Sequence, residues 1–279
     1  MFENYKATKK DFAAIEEGIK TVWHPKLNFV FKNKKFIKKV IVVSYDSKNL
    51  YLWSQTKFPK LTPIKCSLKQ YFAYKIPIPH QLKLSDDYQY WWRAGLQPPE
   101  LTELLFSKMK TDEYESTSFV SGGLFTPFIT LQKKRKNYKT NPYTTRESYL
   151  ATIVHEFGHA YWNRSMFFKY KYQEARKILL CANDCYKDQQ ITLSKLKIPL
   201  PLDYNISEVF AFCIEYQAAV LFWPTHKRAI DNNVSFIIKS FLKKDQATKI
   251  FLSAHYFADI VGKLIFSAYP RSWPTKLLC

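Results

Sequence analysis

The spacing of apolar residues changes period several times along the chain, and each change predicts an element. Residues 1 to about 20 are charged and helix-like. From roughly Leu27 to Ser54 apolar and polar residues alternate, which predicts half-buried strands joined at Asp46-Ser47-Lys48-Asn49 as a hairpin turn. Pro77 and Pro79 break the chain. A helix-like stretch follows from Asp86 to about Lys110, interrupted at Pro98-Pro99, and its Tyr88, Tyr90, Trp91 and Trp92 suit core packing. Ser118 to Leu131 reads as two short strands about Gly122-Gly123, and Pro127 confines that segment to a sheet edge or a bulge. An edge of this kind would let an extended peptide add as a further strand.

Helical spacing then takes over. Asn141-Pro142-Tyr143 is a turn signal, and Thr144 with Glu147 offers a capping box. Behind it Leu150, Ile153, Val154, Phe157 and Tyr161 form a stripe at three- and four-residue intervals. A second long helix is predicted from Tyr172 to Leu196, after which Pro199-Leu200-Pro201 leads to a third. There Asn205 or Ser207 serves as cap, Glu208 occupies the first turn, and Val209, Cys213, Tyr216 and Val220 make the buried stripe. Val234 to about Phe266 reads as two more helices. The sum is an α+β chain, with a β-rich N-terminal portion over 1–80 and a largely helical part over 81–279. Neither an internal repeat nor a low-complexity segment interrupts it.

Within the helix after the capping box stands His155-Glu156-Phe157-Gly158-His159. Residues four apart on a helix share a face, so two imidazoles at this spacing can clasp one Zn²⁺ with a glutamate beside it as a base. Gly158 weakens the helix by roughly 1 kcal/mol against alanine, and close backbone packing near a metal would explain it. Catalytic zinc usually keeps three protein ligands, so two histidines are an incomplete site. Ala160-Tyr161-Trp162-Asn163-Arg164-Ser165 lacks the glycine and third histidine of the metzincins and excludes that class. Two carboxylates further on, Glu208 and Glu215, share a helix face about two turns apart.

HEFGHA followed some fifty residues later by Ser207-Glu208-Val209-Phe210-Ala211 resembles the gluzincin zinc metallopeptidases, especially their compact, lethal-factor-like members. The resemblance spans roughly residues 118 to 222. It implies a zincin-like core in which one Zn²⁺ per chain is held by His155, His159 and Glu208. Glu156 is then the catalytic base, in an enzyme, most simply an endopeptidase, that cleaves peptide or protein substrates with a metal-activated water. Two departures stand out. No aspartate follows Glu208 four residues on, and Pro201 occupies the place of the oxyanion-stabilising tyrosine, for which Tyr204 is the nearest substitute. Glu215 either caps a solvent edge, the simpler reading, or orients a ligand histidine by hydrogen bonding.

The net charge of +20 adds an anionic partner, nucleic acid or an acidic membrane surface, to the peptide substrate. Lys32, Lys34, Lys35, Lys38 and Lys39 form one run, and Lys133-Lys134-Arg135-Lys136 another. Lysine outnumbers arginine 36 to 7, however, whereas bidentate phosphate readers favour arginine, so nonspecific attraction is the simpler expectation. Two alternatives follow: a basic metalloprotease acting on nucleic-acid-bound proteins, and a non-enzymatic nucleic-acid or partner-binding protein. Five cysteines without a CxxC pair point to reduced thiols, and Cys66 is weighed as a metal ligand only to be set below an apolar role. The N-terminal residues carry no secretory signal and no stretch is apolar for long enough to span a bilayer, from which a cytoplasmic location is expected. Oligomeric state is not legible.

Overall fold

The computed structural model describes residues 5–82, 99–108, 118–121, 123–134, 141–166, 202–243 and 254–278. The chain opens with helix α1 (Lys9–Val22), capped by a reciprocal box between Thr8 and Asp11. A single 3₁₀ turn (Pro25–Leu27) and the short helix α2 (Lys34–Lys38) occupy the region where strands were expected to begin. Strand structure starts only at β1 (Val40–Tyr45). Asn33 explains the delay: its side chain accepts from the Lys35 N–H and so starts a helical turn.

The hairpin turn forms as expected. Asp46 accepts from the backbone N–H of Lys48 and Asn49, each at 2.8 Å, and the chain returns as β2 (Asn49–Ser54). With β3 (Thr62–Ile64), β4 (Phe72–Pro77) and β5 (Ser118–Ser121) these strands make one sheet in the order β3-β4-β2-β1-β5. Val42 faces Trp53 and Tyr45 faces Leu50 across the antiparallel hairpin, while β5 runs parallel to β1 with Val40 beside Ser118. Side chains alternate between two cores. Val40, Val42, Tyr51, Trp53 and Ala73 join a large cluster that also takes in the helices. Ile41, Val43, Tyr45, Leu50 and Leu52 join a second one, closed by Leu101 and Leu105 of α3 (Pro99–Lys108). Because both faces are covered, Val40–Tyr45 is buried throughout rather than on alternate residues.

The second strand expected after Gly122-Gly123 is instead a helix, α4 (Phe125–Lys134). Phe125 and Phe128 both set their rings edge-on against Tyr149, at 5.2 and 5.4 Å, which three-residue spacing permits on a helix but not on a strand. Pro127 sits in the first turn, where a missing N–H does no harm, and the Thr126 N–H is met by Asp11 from α1 at 2.8 Å.

Four helices complete the described chain after α5 (Arg146–Met166): α6 (Leu202–Phe222), α7 (Pro224–Lys243), α8 (Ala254–Ala268) and α9 (Trp273–Leu278). The capping box of α5 lies one residue later than expected. Thr145 and Ser148 bond reciprocally, N–H to hydroxyl, at 3.0 and 3.2 Å, so Ser148 takes the part assigned to Glu147. Helix α6 begins six residues before Glu208, which therefore lies in the second turn and not the first; Asn205 and Ser207 are inside the helix rather than caps. From Ile206 to Ala219 that helix is buried all round, packed between α5 and α8. Val220, expected in the stripe, is 40% exposed where the helix emerges. The helix expected over 172–196 and the aromatic cluster at Tyr88, Tyr90, Trp91 and Trp92 lie outside the described residues. The large core runs from Ala14 to Leu277, and the architecture is α+β. No described helix is long and apolar enough to cross a membrane.

Candidate metal centre

Helices α5 and α6 cross at Gly158. A Cβ there would stand 2.9 Å from the Ala211 Cα and 3.3 Å from its Cβ, so only glycine lets the two backbones approach this closely. Ala211 is three residues past Glu208, and the crossing brings that carboxylate over the face of α5 that bears His155 and His159. His155 Nε2 and His159 Nε2 are 3.1 Å apart, and each lies 3.4 Å from a Glu208 oxygen. Ligand atoms set tetrahedrally at about 2.0–2.1 Å around zinc would be about 3.3–3.4 Å from each other. The 3.4 Å distances run from His155 to Oε2 and from His159 to Oε1, so the two nitrogens and the carboxylate stand at the separations of neighbouring ligands on one ion.

The outer nitrogens of the two rings are anchored. His155 Nδ1 lies 3.0 Å from Glu215 Oε2, and His159 Nδ1 lies 2.7 Å from the Ser207 hydroxyl. With Nδ1–H donating to those oxygens, both Nε2 lone pairs point to one place. Two bare nitrogens facing a carboxylate at these distances repel one another unless a cation lies between them. Consistent with that, Glu208 Oε2 is buried and accepts no hydrogen bond. In the metal-free protein a proton answers the same demand. Burial opposes charging His155, but Glu208 and Glu215 outweigh it and raise the imidazole well above its usual range. Burial likewise works against an ionised Glu208, yet the surrounding imidazoles, His155 first, hold its carboxyl far below the usual range. The donor set, two imidazoles and a carboxylate, suits Zn²⁺. His155, His159 and Glu208 are also the metal-ligating group that the described residues offer.

Glu156, between the two histidines, is partly exposed. Tyr204 lies one turn before Glu208 on α6, and its side chain is outside the described residues. Cys66 is not part of the group: its thiol bonds to the Leu68 carbonyl at 3.9 Å, and burial pushes it up to about 11.

No family model, curated protein or solved structure matches this chain.

Glu215 overturns the simpler reading made of it. It is 1% exposed and caps no solvent edge; it bonds His155 with one oxygen and His226 with the other. A carboxylate cannot be buried on an apolar helix without partners, and these are the partners. Three further residues around the site carry no motif. His226 reaches Glu215 because Pro224 starts a new helix and folds the chain back. Tyr143 sets its ring edge-on to His226, 6.0 Å between centroids. His255, in the first turn of α8, is 67% exposed and brings its Nδ1 within 3.2 Å of Glu208 Oε2. One signal for them was present: a chain with only six histidines and a buried glutamate invites a search among the remaining four.

Proposed function

We propose that the chain is a zinc-dependent peptidase of gluzincin type. The observation that carries this reading is the convergence of His155 Nε2 and His159 Nε2, 3.1 Å apart, on the Glu208 carboxylate, whose Oε2 lies 3.4 Å from the first and Oε1 3.4 Å from the second, with each ring held from behind. Zinc bound there would bring the pKa of a water near neutrality and polarise a carbonyl. Glu156 takes a proton from the attacking water and delivers it to the leaving amine. His255, with Nδ1 3.2 Å from Glu208 Oε2 and its side chain 67% exposed, could present a donor for the developing oxyanion, the role that the resemblance gives to Tyr204.

The fold side of the proposal is a zincin-like core, in which a histidine-bearing helix lies beside a sheet and a second helix supplies the acidic ligand. Strand β5 ends the sheet order and packs beside α5. An extended peptide could pair with that edge beside the histidine-bearing helix, the mode that the resemblance implies for a peptide substrate. The test is elemental analysis with a peptide-cleavage assay. About one zinc per chain is expected in the wild type and little in His155→Ala or His159→Ala, as a three-ligand site requires. A wild type without zinc, or variants that retain it in full, would overturn the reading.

A second observation bears on the substrate. Lys32, Lys35, Lys38 and Lys39 are exposed and have no acidic partner among the described residues. Their segment leans on α5 through the Phe36–Tyr161 ring contact and a 3.2 Å bond from the Asn33 N–H to the Tyr161 hydroxyl, two residues past His159. A basic flank on the active-site helix favours acidic or nucleic-acid-bound protein as substrate over a neutral peptide.

A further inference from the structure

Burial of the Glu215 carboxylate together with the His226 imidazole is unexplained by packing. The His226 side chain is wholly buried, and its Nδ1 has no hydrogen-bond partner. Exchanging such a buried polar pair for apolar residues of similar volume is often neutral or stabilising, so stability alone gives no reason for it. The geometry of the pair points elsewhere. His226 Nε2 is 3.3 Å from Glu215 Oε1, while Glu215 Oε2 is 3.0 Å from His155 Nδ1. The proton of His226 must sit on Nε2, since a lone pair there would face a carboxylate oxygen; the unmet atom is then a lone pair rather than an N–H.

The last torsion of a glutamate side chain is broad and roughly two-fold, so nothing in Glu215 itself fixes the plane of its carboxylate. Donors on both oxygens do. We infer that His226 is a positioning residue for the metal centre: it holds the Glu215 carboxylate in the plane that sets the tautomer and orientation of His155. This rests on the zinc reading above. The chain of contacts runs from α7 through α6 to α5, so that a residue on a helix with no ligand of its own controls where a ligand lone pair points.

The experiment compares zinc affinity in wild type, His226→Phe and His226→Gln by competition with a chromophoric chelator. Circular dichroism of the metal-free forms checks that each is folded. The visible spectrum of each Co²⁺-loaded form reads the ligand field. His226→Phe should bind zinc 10- to 100-fold more weakly and shift the cobalt bands, as loss of a partner behind a ligand does. His226→Gln, whose amide N–H can donate to Glu215 in place of the imidazole, should recover most of both. Should His226→Phe not fold, His226→Met also removes the donor to Glu215 while filling the space and should lower affinity in the same direction. Unchanged zinc affinity in the variant that folds, or equal loss in the Phe and Gln variants, would overturn the inference while leaving the zinc reading intact. A wild type that binds no zinc would overturn both.

Discussion

Replacing Gly158 by alanine sets two physical effects against each other with opposite signs. On helix propensity alone the change should stabilise α5 by about 1 kcal/mol. The helix crossing says otherwise. The added Cβ would lie 2.9 Å from the Ala211 Cα, 3.2 Å from Ile214 Cδ1 and 3.3 Å from the Ala211 Cβ. Carbon atoms rest at about 3.5–4.0 Å, so α6 must retreat by roughly 0.6 Å or more, and because the nearest atom is backbone no rotamer change relieves it. Overpacking of this kind costs about 1–3 kcal/mol, which after the propensity gain leaves a net loss of about 0–2 kcal/mol. The effect on the site should be larger, since a ligand constellation tolerates only about 0.5 Å of displacement. Glu208 stands three residues from the contact and would be drawn back from both imidazoles, with an expected loss of at least about tenfold in zinc affinity. The assay is urea denaturation of the metal-free proteins with a zinc competition titration. Asn163→Ala, at an exposed position on the same helix, reads the propensity gain without the clash. A Gly158→Ala protein about 1 kcal/mol more stable than wild type, with zinc affinity unchanged, would refute the reasoning.

Four further outcomes are expected. Glu156→Gln should keep its zinc and lose peptide cleavage by about 10²-fold or more, so turnover at the wild-type level would remove this residue from the mechanism. Glu208→Ala should lose zinc to a mild chelator, whereas Glu215→Ala should weaken it about 10- to 100-fold; the reverse order would reassign the third ligand. Asp11 accepts bonds from Tyr5, Thr8 and the Thr126 N–H, and these outweigh burial to hold its carboxyl below the usual 3.8. Its contribution is present above that value and fades as pH falls through the lower folded one, so Asp11→Asn should cost about 1–2 kcal/mol at pH 7 and less near pH 3, as paired denaturation curves would show. Retention on a polyanion resin should fall steeply with salt and show no sequence preference, and tight selective binding of one nucleic-acid sequence at physiological salt would instead favour a dedicated nucleic-acid role.

The histidine pair was legible because everything that presents it is local: a turn, a capping hydroxyl, and a stripe from Leu150 to Tyr161 that is buried as its spacing requires. Gly158 also gave a local hint, and its contact with Ala211 is the close packing it implied. Glu208 came from resemblance, since nothing in its own neighbourhood distinguishes it from Glu215. Helix α6 is buried on every side, so its apolar spacing marks no face, and the start of the helix could not be placed. The environment of Glu215 was hidden for a different reason. Its partners stand 60 residues before it and 11 after it, and only the turn at Pro224 brings the second one back. The segment after Gly123 misled because proline is tolerated both at a sheet edge and in a first helical turn, and the contacts with Tyr149 that decide between them are tertiary.

The site draws its ligands from only two helices, whose facing residues, His159 and Ser207, are 48 positions apart in sequence. An ion bridging them would act as a removable cross-link: it would bind the docked pair and not the separated one. Docking would then be stabilised by RT ln(1 + [Zn]/Kd), about 2.7 kcal/mol when zinc is at a hundredfold excess over Kd. The cost of closing the connection rises only with the logarithm of its length, by about 0.6 kcal/mol for each doubling. Lengthening the connection would therefore cost the loaded protein little, and chelation would withdraw only the ion's share from a contact that buried apolar residues of both helices also hold.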